Sequence, residues 1–254
     1  MSSPASPPTH FRMAILLGSM RKGGNGAGIA AWIVRHLQAR LKERGFTQGT
    51  SALSDSFSIE IIDPTCAPHP LGPMVDSSRI PAQLALVMEA MPELASSPAD
   101  GDAAESPSLP CYAYSSPSVR SWSRFVLSLS GLCILTPQYN WGYPGELKTA
   151  LDHLYHEWQG MPLMLATYGG HGGVKADEQL RQVTQGGLKM SVVERRVNIT
   201  LPKAYIREGA RVDKDGADAF LAEFEAPLIA ACEEWIELMQ ARLKPAASPP
   251  APSS

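Results

Sequence analysis

Short apolar runs alternate with longer segments of helical periodicity along this chain, and that alternation restricts its fold more than any other feature. "FRMAILLG" (Phe11 to Gly18) is apolar and ends in glycine, as a first strand would. Ala27 to Glu43 follows, with Ile29, Ile33, Leu37 and Leu41 on one side of a helix. "FSIEIID" (Phe57 to Asp63) alternates as a second strand. "GLCILT" (Gly131 to Thr136) and "PLMLATY" (Pro162 to Tyr168) are continuous apolar runs of the buried parallel type. "SVVERRVNITLP" (Ser191 to Pro202) is more polar and reads as an edge strand. Further helices are expected over Arg120 to Ser130, Glu146 to Trp158, Lys175 to Lys189 and Ala217 to Leu243. Strands alternating with helices predict an α/β fold, a parallel sheet covered on both faces. Five strands suit the doubly wound order 2-1-3-4-5.

The sequence reads as one domain over 11–243. The Pro-, Ala- and Ser-rich tails, 1–10 and 244–254, are expected to be disordered. Two extended loops, about 46–56 and 95–119, interrupt the rhythm, and the second reads as a solvated insertion. A net charge of -3 gives no electrostatic footprint for nucleic acid or an anionic membrane. No apolar run approaches the roughly 20 residues of a membrane helix. The first twelve residues lack the apolar core of a secretory signal. Cys66, Cys111, Cys133 and Cys232 show no CxxC spacing and read as free thiols of a reducing compartment, so a cytoplasmic location is expected.

In a doubly wound sheet, ligands bind outside the carboxyl ends of the strands, where strand order reverses. Three such ends are rich in glycine or aromatics: "GSMRKGGNG" (Gly18 to Gly26), "TPQYNWGYPG" (Thr136 to Gly145) and "TYGGHGG" (Thr167 to Gly173). Loop amides and a helix N-terminus in the first make an anion site, to which Ser19 adds a hydroxyl and Arg21 a guanidinium. The plainer alternative is a solvated turn with incidental charges. The first loop is no P-loop, because no Gly-Lys-Ser/Thr follows Gly23. A GxGxxA match at Gly26 begins eight residues after Gly18, too late for a dinucleotide fingerprint. In the second loop, amides from Gln138 to Trp141 suit the polar edge of a flat ring, and Tyr139 or Trp141 suits its face. The plainer alternative makes Trp141 and Tyr143 core or interface residues, and for Tyr143 it fits at least as well. In the third, Gly169 and Gly170 let backbone approach a ligand, or serve a turn that needs positive φ. A phosphate site beside a cradle for a flat, polar-edged ring outlines flavin mononucleotide (FMN).

The motifs "GSMR" (Gly18 to Arg21), "PQYNWGYPGELKTALD" (Pro137 to Asp152) and "YGGHGG" (Tyr168 to Gly173) resemble, in order, those of the flavodoxin-like NAD(P)H-dependent FMN and quinone reductases. The resemblance extends most fully to the fungal cytosolic quinone reductases, through "RSWSR" (Arg120 to Arg124) and "LYHEW" (Leu154 to Trp158), and covers roughly Phe11 to Pro202. It implies a flavodoxin-like fold, bound FMN, a homodimer, and two-electron reduction of quinones or free flavin by NADH or NADPH. It implies FMN contacts at Arg21, at Gln138, Tyr139, Asn140 and Trp141, and at Tyr168. Together with the loop reading, the cofactor-binding set is Ser19, Arg21, Pro137, Gln138, Tyr139, Asn140, Trp141, Tyr168, Gly169 and Gly170. The departure is "KGGNG", where many relatives carry Ser or Thr hydroxyls and an Asn.

In such a protein the cofactor carries the chemistry and the chain needs no side-chain acid or base. A flavodoxin-type electron carrier is the alternative, but carriers surround the ring with negative charge, whereas these loops hold Arg21, Lys22 and His171. A second alternative is an FMN-loaded scaffold that binds other proteins. His153, His156 and Glu157 cluster in sequence, yet they flank the apolar stripe of a helix without an accompanying Cys or acid motif, so a metal site is not expected.

Overall fold

In the computed structural model, residues 9–19, 21, 23–50, 54–63, 81 and 114–243 are described. Both expected tails, but for Thr9 and His10, lie outside these residues, as do 95–113 of the expected insertion, Cys66 and Cys111. The first strand, β1 (His10–Leu17), leads into α1 (Gly26–Glu43). A two-residue strand β2 (Thr47–Gln48) precedes β3 (Ser56–Ile62). Then come α2 (Pro117–Leu127), β4 (Gly131–Pro137), α3 (Gly145–Asp152) and β5 (Pro162–Gly169). The chain closes with α4 (Val174–Arg181), β6 (Ser191–Val192), β7 (Val197–Thr200), α5 (Lys203–Arg207) and α6 (Glu225–Leu243).

All strands are parallel, in the order β2-β3-β1-β4-β5-β6, with β7 also pairing β5. The doubly wound order is the expected one, but among the described residues the sheet has seven strands instead of five. One addition is β2, inside the stretch read as an extended loop. The other arises because the last expected strand is split. β6 pairs with Pro162 and Leu163, β7 with Ala166 to Gly169, and Glu234 accepts the intervening N–H groups of Glu194 (2.7 Å) and Arg195 (3.2 Å). A carboxylate thus replaces the ladder where the strand leaves the sheet.

Strand alternation divides the core into two layers. Met13, Ile15, Cys133, Leu135, Met164 and Ala166 face α1 and α6, whose Ile29, Ile33, Leu37, Leu41 and Trp235 are buried against them. Ala14, Leu16, Leu132, Ile134, Leu163 and Leu165 face α2, α3 and α4 through Trp122, Leu147, Leu151 and Leu180. Burying each such side chain contributes roughly 1.5–3 kcal/mol, which is why both faces of the sheet must be covered. Cys133 and Cys232 are buried free thiols in the first layer. Burial pushes both up, Cys232 to about 12, so neither is a ready nucleophile.

Three expectations are corrected. The helix expected over Glu146 to Trp158 stops at Asp152 and resumes as a 3-10 turn, His156–Trp158. Side chains take two carbonyls that a longer helix would use: Trp122 donates to Ala150 (3.1 Å) and Trp158 to Leu151 (3.0 Å). The helix expected over Lys175 to Lys189 ends at Arg181 and loosens into a π turn, Gln182–Gly187. The end of the insertion is solvated only in part: Ser115, Pro117 and Ser118 are exposed, but Tyr114 and Val119 are buried and α2 begins at Pro117. Among the described residues, no helix is long and apolar enough to cross a membrane.

Candidate functional site

The strand order reverses between β1 and β4, and their carboxyl ends lie in register, Leu17 beside Leu135. The first loop leaves β1 through Gly18, whose N–H donates to Leu135 O at 2.8 Å. Only glycine fits there, because a Cβ would stand 2.5 Å from Thr136 Oγ1. A cleft opens at this point, lined by Gly18, Ser19, Arg21, Gly23, Gly24 and Gly26 of the first loop, by Asp63 after β3, and by Tyr139 and Tyr168.

Within the cleft the first loop is tied to the second. Ser19 Oγ and Tyr139 Oη share a hydrogen bond of 2.8 Å, and the Arg21 N–H donates to Ser19 Oγ at 3.3 Å. The Arg21 guanidinium stands over the Tyr139 ring, 4.1 Å from its centroid. Such a cation–π contact contributes about 0.5–1 kcal/mol at an exposed site. The 18-residue helix α1 begins at the cleft, and no acid occupies its first turn. Its N-terminal dipole and the Arg21 charge therefore favour an anion here.

The second loop turns sharply. Tyr139 and Gly142 exchange both backbone hydrogen bonds (2.8 and 2.9 Å), with Asn140 and Trp141 at φ 46 and 70. Positive φ at both central residues defines a type I′ turn. Asparagine tolerates it, but tryptophan does so at a cost. Gln179 steadies the turn by donating to the Trp141 carbonyl at 3.3 Å, in space left by the missing Cβ of Gly142. The Trp141 indole is 67% exposed. Tyr143 instead packs against the second core layer.

Two amides of the expected ring cradle are already committed. Gln138 N–H donates to Tyr168 O at 3.1 Å, and Tyr139 N–H to Gly142 O. The Gln138 side chain accepts from the Lys175 N–H at 3.0 Å. That leaves the amides of Asn140 and Trp141 at the tip of the turn. Pro137 ends β4 beside Tyr168 in the register.

Tyr168 is buried at the back of the cleft, where a Cβ on Gly26 would meet its hydroxyl at 3.1 Å. Burial, and to a lesser degree Tyr139, push this phenol well above its usual range, so it stays protonated. Gly169 and Gly170 do not line the cleft: Gly169 adjoins Gln138 and Gly170 adjoins Ile206. Positive φ is needed further on, at Gly172 (68) and Gly173 (75), where a Cβ on Gly173 would lie 2.7 Å from that of Thr167.

The GxGxxA match has a packing explanation. Gly26 makes room for Tyr168, and Gly28 for the carbonyl of Asp213, 2.3 Å from where its Cβ would stand. His153 donates to a backbone carbonyl, and Glu157 is buried and accepts from Ser123 and Tyr114, so these two residues are structural. Sequence reading missed Asp63, although its place after the second strand marks it. It also missed Asn25 and the segment after β7, for which no local signal exists.

Fold and site together define a flavodoxin-like protein with a cleft at the switch point beside an aromatic turn. The sequence matches the family described as NADPH-dependent FMN reductase over residues 11–201, and the chain belongs to that family. It is 34% identical over 183 residues to the NAD(P)H-dependent FMN reductase LOT6 of Saccharomyces cerevisiae, covering 72% of this chain and 78% of that one. It is 46% identical over 96 residues to an NAD(P)H-dependent FMN reductase of Schizosaccharomyces pombe, covering 38% of this chain and 48% of that one. Two solved structures share the fold at 16% identity. FerB, a flavoenzyme NAD(P)H:(acceptor) oxidoreductase from Paracoccus denitrificans, has a TM-score of 0.51 and covers 91% of this chain and 98% of its own. An oxidoreductase from Corynebacterium diphtheriae has a TM-score of 0.54, with 91% and 97% covered. The protein is accordingly a flavoprotein oxidoreductase with FMN as cofactor and NAD(P)H as cosubstrate.

Proposed function

We propose that the protein passes a hydride from NAD(P)H to quinones or free flavin, taking donor and acceptor in turn at one shared site, and that it works as a homodimer. Bound FMN supplies the uptake and release of the hydride. The chain's residues fit that cofactor. Ser19, Arg21 and the N-terminus of α1 hold its phosphate, in a cleft that a side chain at Gly26 would fill. Pro137, Gln138, Tyr139, Asn140 and Trp141 form the wall for the ring, with the amides of Asn140 and Trp141 toward its polar edge. Tyr168 closes the back, and Gly169 keeps the third loop thin beside Gln138 and Gly170 beside Ile206. No proton need be moved by a side chain, and the raised Tyr168 phenol makes a poor acid.

The observation that carries this reading is the pairing of the glycine-rich, Arg21-bearing cleft at the start of α1 with an exposed indole at the tip of the adjoining turn. The indole offers a flat, apolar face beside the ring site, where a nicotinamide or a quinone would dock. An absorbance spectrum of the purified protein tests it first: flavin bands should bleach when NAD(P)H is added under nitrogen. Steady-state rates with NAD(P)H and a quinone should then give parallel double-reciprocal lines. Intersecting lines would reject the shared site, and a protein without flavin absorbance would reject the reading as a whole. Sedimentation should show twice the chain mass.

A further inference from the structure

The segment after β7 borders the phosphate cleft, although no strand-end loop supplies it. Residues 205–216 lie across the first loop and the first turns of α1. Arg211 Nε donates to Gly23 O at 2.6 Å, from 188 residues away in sequence. Asn25, 8% exposed, donates from Nδ2 to Tyr205 O (3.2 Å) and accepts at Oδ1 from the Val212 N–H (3.0 Å). Arg35 donates to the carbonyls of Asp215 and Gly216, each at 2.9 Å. The close approach of Asp213 O to Gly28 completes a fitted seam.

The contact with Gly23 has a consequence for the cleft. In a trans peptide the C=O and the next N–H point in opposite directions. Holding Gly23 O on Arg211 turns the Gly24 N–H the other way, and Gly24 lines the cleft. A phosphate monoester carries close to two negative charges near neutral pH. Arg21 lines the cleft on the Tyr139 side, and Arg211, outside the lining, reaches the same loop through Gly23 O. Two acids beside or within the segment are turned to its backbone, Asp218 accepting from the Asp213 N–H (2.7 Å) and Asp213 from the Asp215 N–H (2.8 Å), while Asp63 is the acid that lines the cleft itself.

We propose that Arg211 is a positioning residue of the phosphate site, fixing the Gly23–Gly24 peptide with its N–H toward a phosphate monoester and adding the second positive charge. The proposal rests on the FMN-binding reading above, and riboflavin, which lacks the phosphate, separates the two. Apo protein is titrated with FMN and with riboflavin, following the quenching of flavin fluorescence. Arg211→Ala should weaken FMN binding about ten-fold and leave riboflavin binding unchanged. The salt dependence of FMN binding should become shallower. Arg211→Lys should recover part of the loss. If Arg211→Ala fails to fold, Arg211→Gln, which retains a donor for Gly23 but no charge, carries the same comparison. Equal weakening of FMN and riboflavin, or no weakening of FMN, overturns the role of Arg211. A wild-type protein that binds neither flavin overturns the FMN reading, and the proposal with it.

Discussion

Ser19 and Tyr139 stand 120 residues apart in sequence and share a 2.8 Å hydrogen bond across the mouth of the cleft. The same Tyr139 ring carries the Arg21 guanidinium on its face. One tyrosine therefore couples the phosphate loop to the ring loop through its edge and its face at once. Arg21→Ala should lower FMN affinity about ten- to a hundred-fold, since hydrogen bonds to charged groups contribute roughly 1.5–3 kcal/mol. Arg21→Glu should lower it further by repulsion. Tyr139→Phe keeps the cation–π face and loses the hydroxyl, so its loss should be smaller than that of Arg21→Ala. Equilibrium dialysis measures all three. Full FMN content in purified Arg21→Glu would show that the phosphate is held elsewhere.

Trp141 occupies a backbone conformation that glycine adopts without strain. Truncating an exposed tryptophan at such a position should not lower the melting temperature. Trp141→Gly should nevertheless raise the KM for a quinone several-fold, because the exposed face is lost. A lower melting temperature with unchanged KM would make Trp141 a structural residue.

Alanine normally stabilises a helix interior by about 1 kcal/mol relative to glycine. At Gly28 the opposite should hold. Its Cβ would lie 2.3 Å from a backbone carbonyl, which cannot rotate away, and overpacking costs about 1–3 kcal/mol. At Gly26 the obstacle is the Tyr168 hydroxyl at 3.1 Å. Gly26→Ala should therefore cost less than Gly28→Ala, and Tyr168→Phe should relieve it. Urea denaturation of the three single variants and of the Gly26→Ala/Tyr168→Phe double variant decides between these outcomes.

His36 packs edge-on against Trp32 on α1, with ring centroids 5.3 Å apart, and lies 3.9 Å from Glu225. Burial lowers its pKa below 6.5, and the Glu225 carboxylate offsets this only in part. The unfolded chain then binds a proton that the folded chain resists, so stability is lost as pH falls through 6.5 toward the lower folded value. The urea midpoint should drop between about pH 7.5 and about pH 5.5, more steeply in wild type than in His36→Phe. Identical slopes would show that His36 is not the group responsible.

The sheet was legible because its signal is local. Runs such as Gly131 to Thr136 bury every residue, and helix α1 buries the four positions that its periodicity marks. The stop at Asp152 was not legible. Leu154 and Trp158 are buried whether or not the helix continues, and the indoles that end it arrive from Trp122 and from beyond the break. At the site, Ser19, Arg21, Tyr139 and Tyr168 meet in one cleft because strand ends in a parallel sheet must converge. The commitment of the Gln138 and Tyr139 amides was hidden, since a turn type is set by φ values that a tryptophan gives no reason to expect. Arg211 was hidden for the same kind of reason, because its partner lies 188 residues away.

The splitting of the last strand also governs how the molecule meets its own kind. One border of the sheet ends in the two-residue β2, the other in β6 and β7 of two and four residues, with a carboxylate seated between them. An exposed strand border recruits foreign chains when it offers a long row of unpaired amides and carbonyls. These borders offer stubs, and the gap at Glu194 and Arg195 is already filled by Glu234. Growth of the sheet into fibrils or swapped assemblies is thereby discouraged.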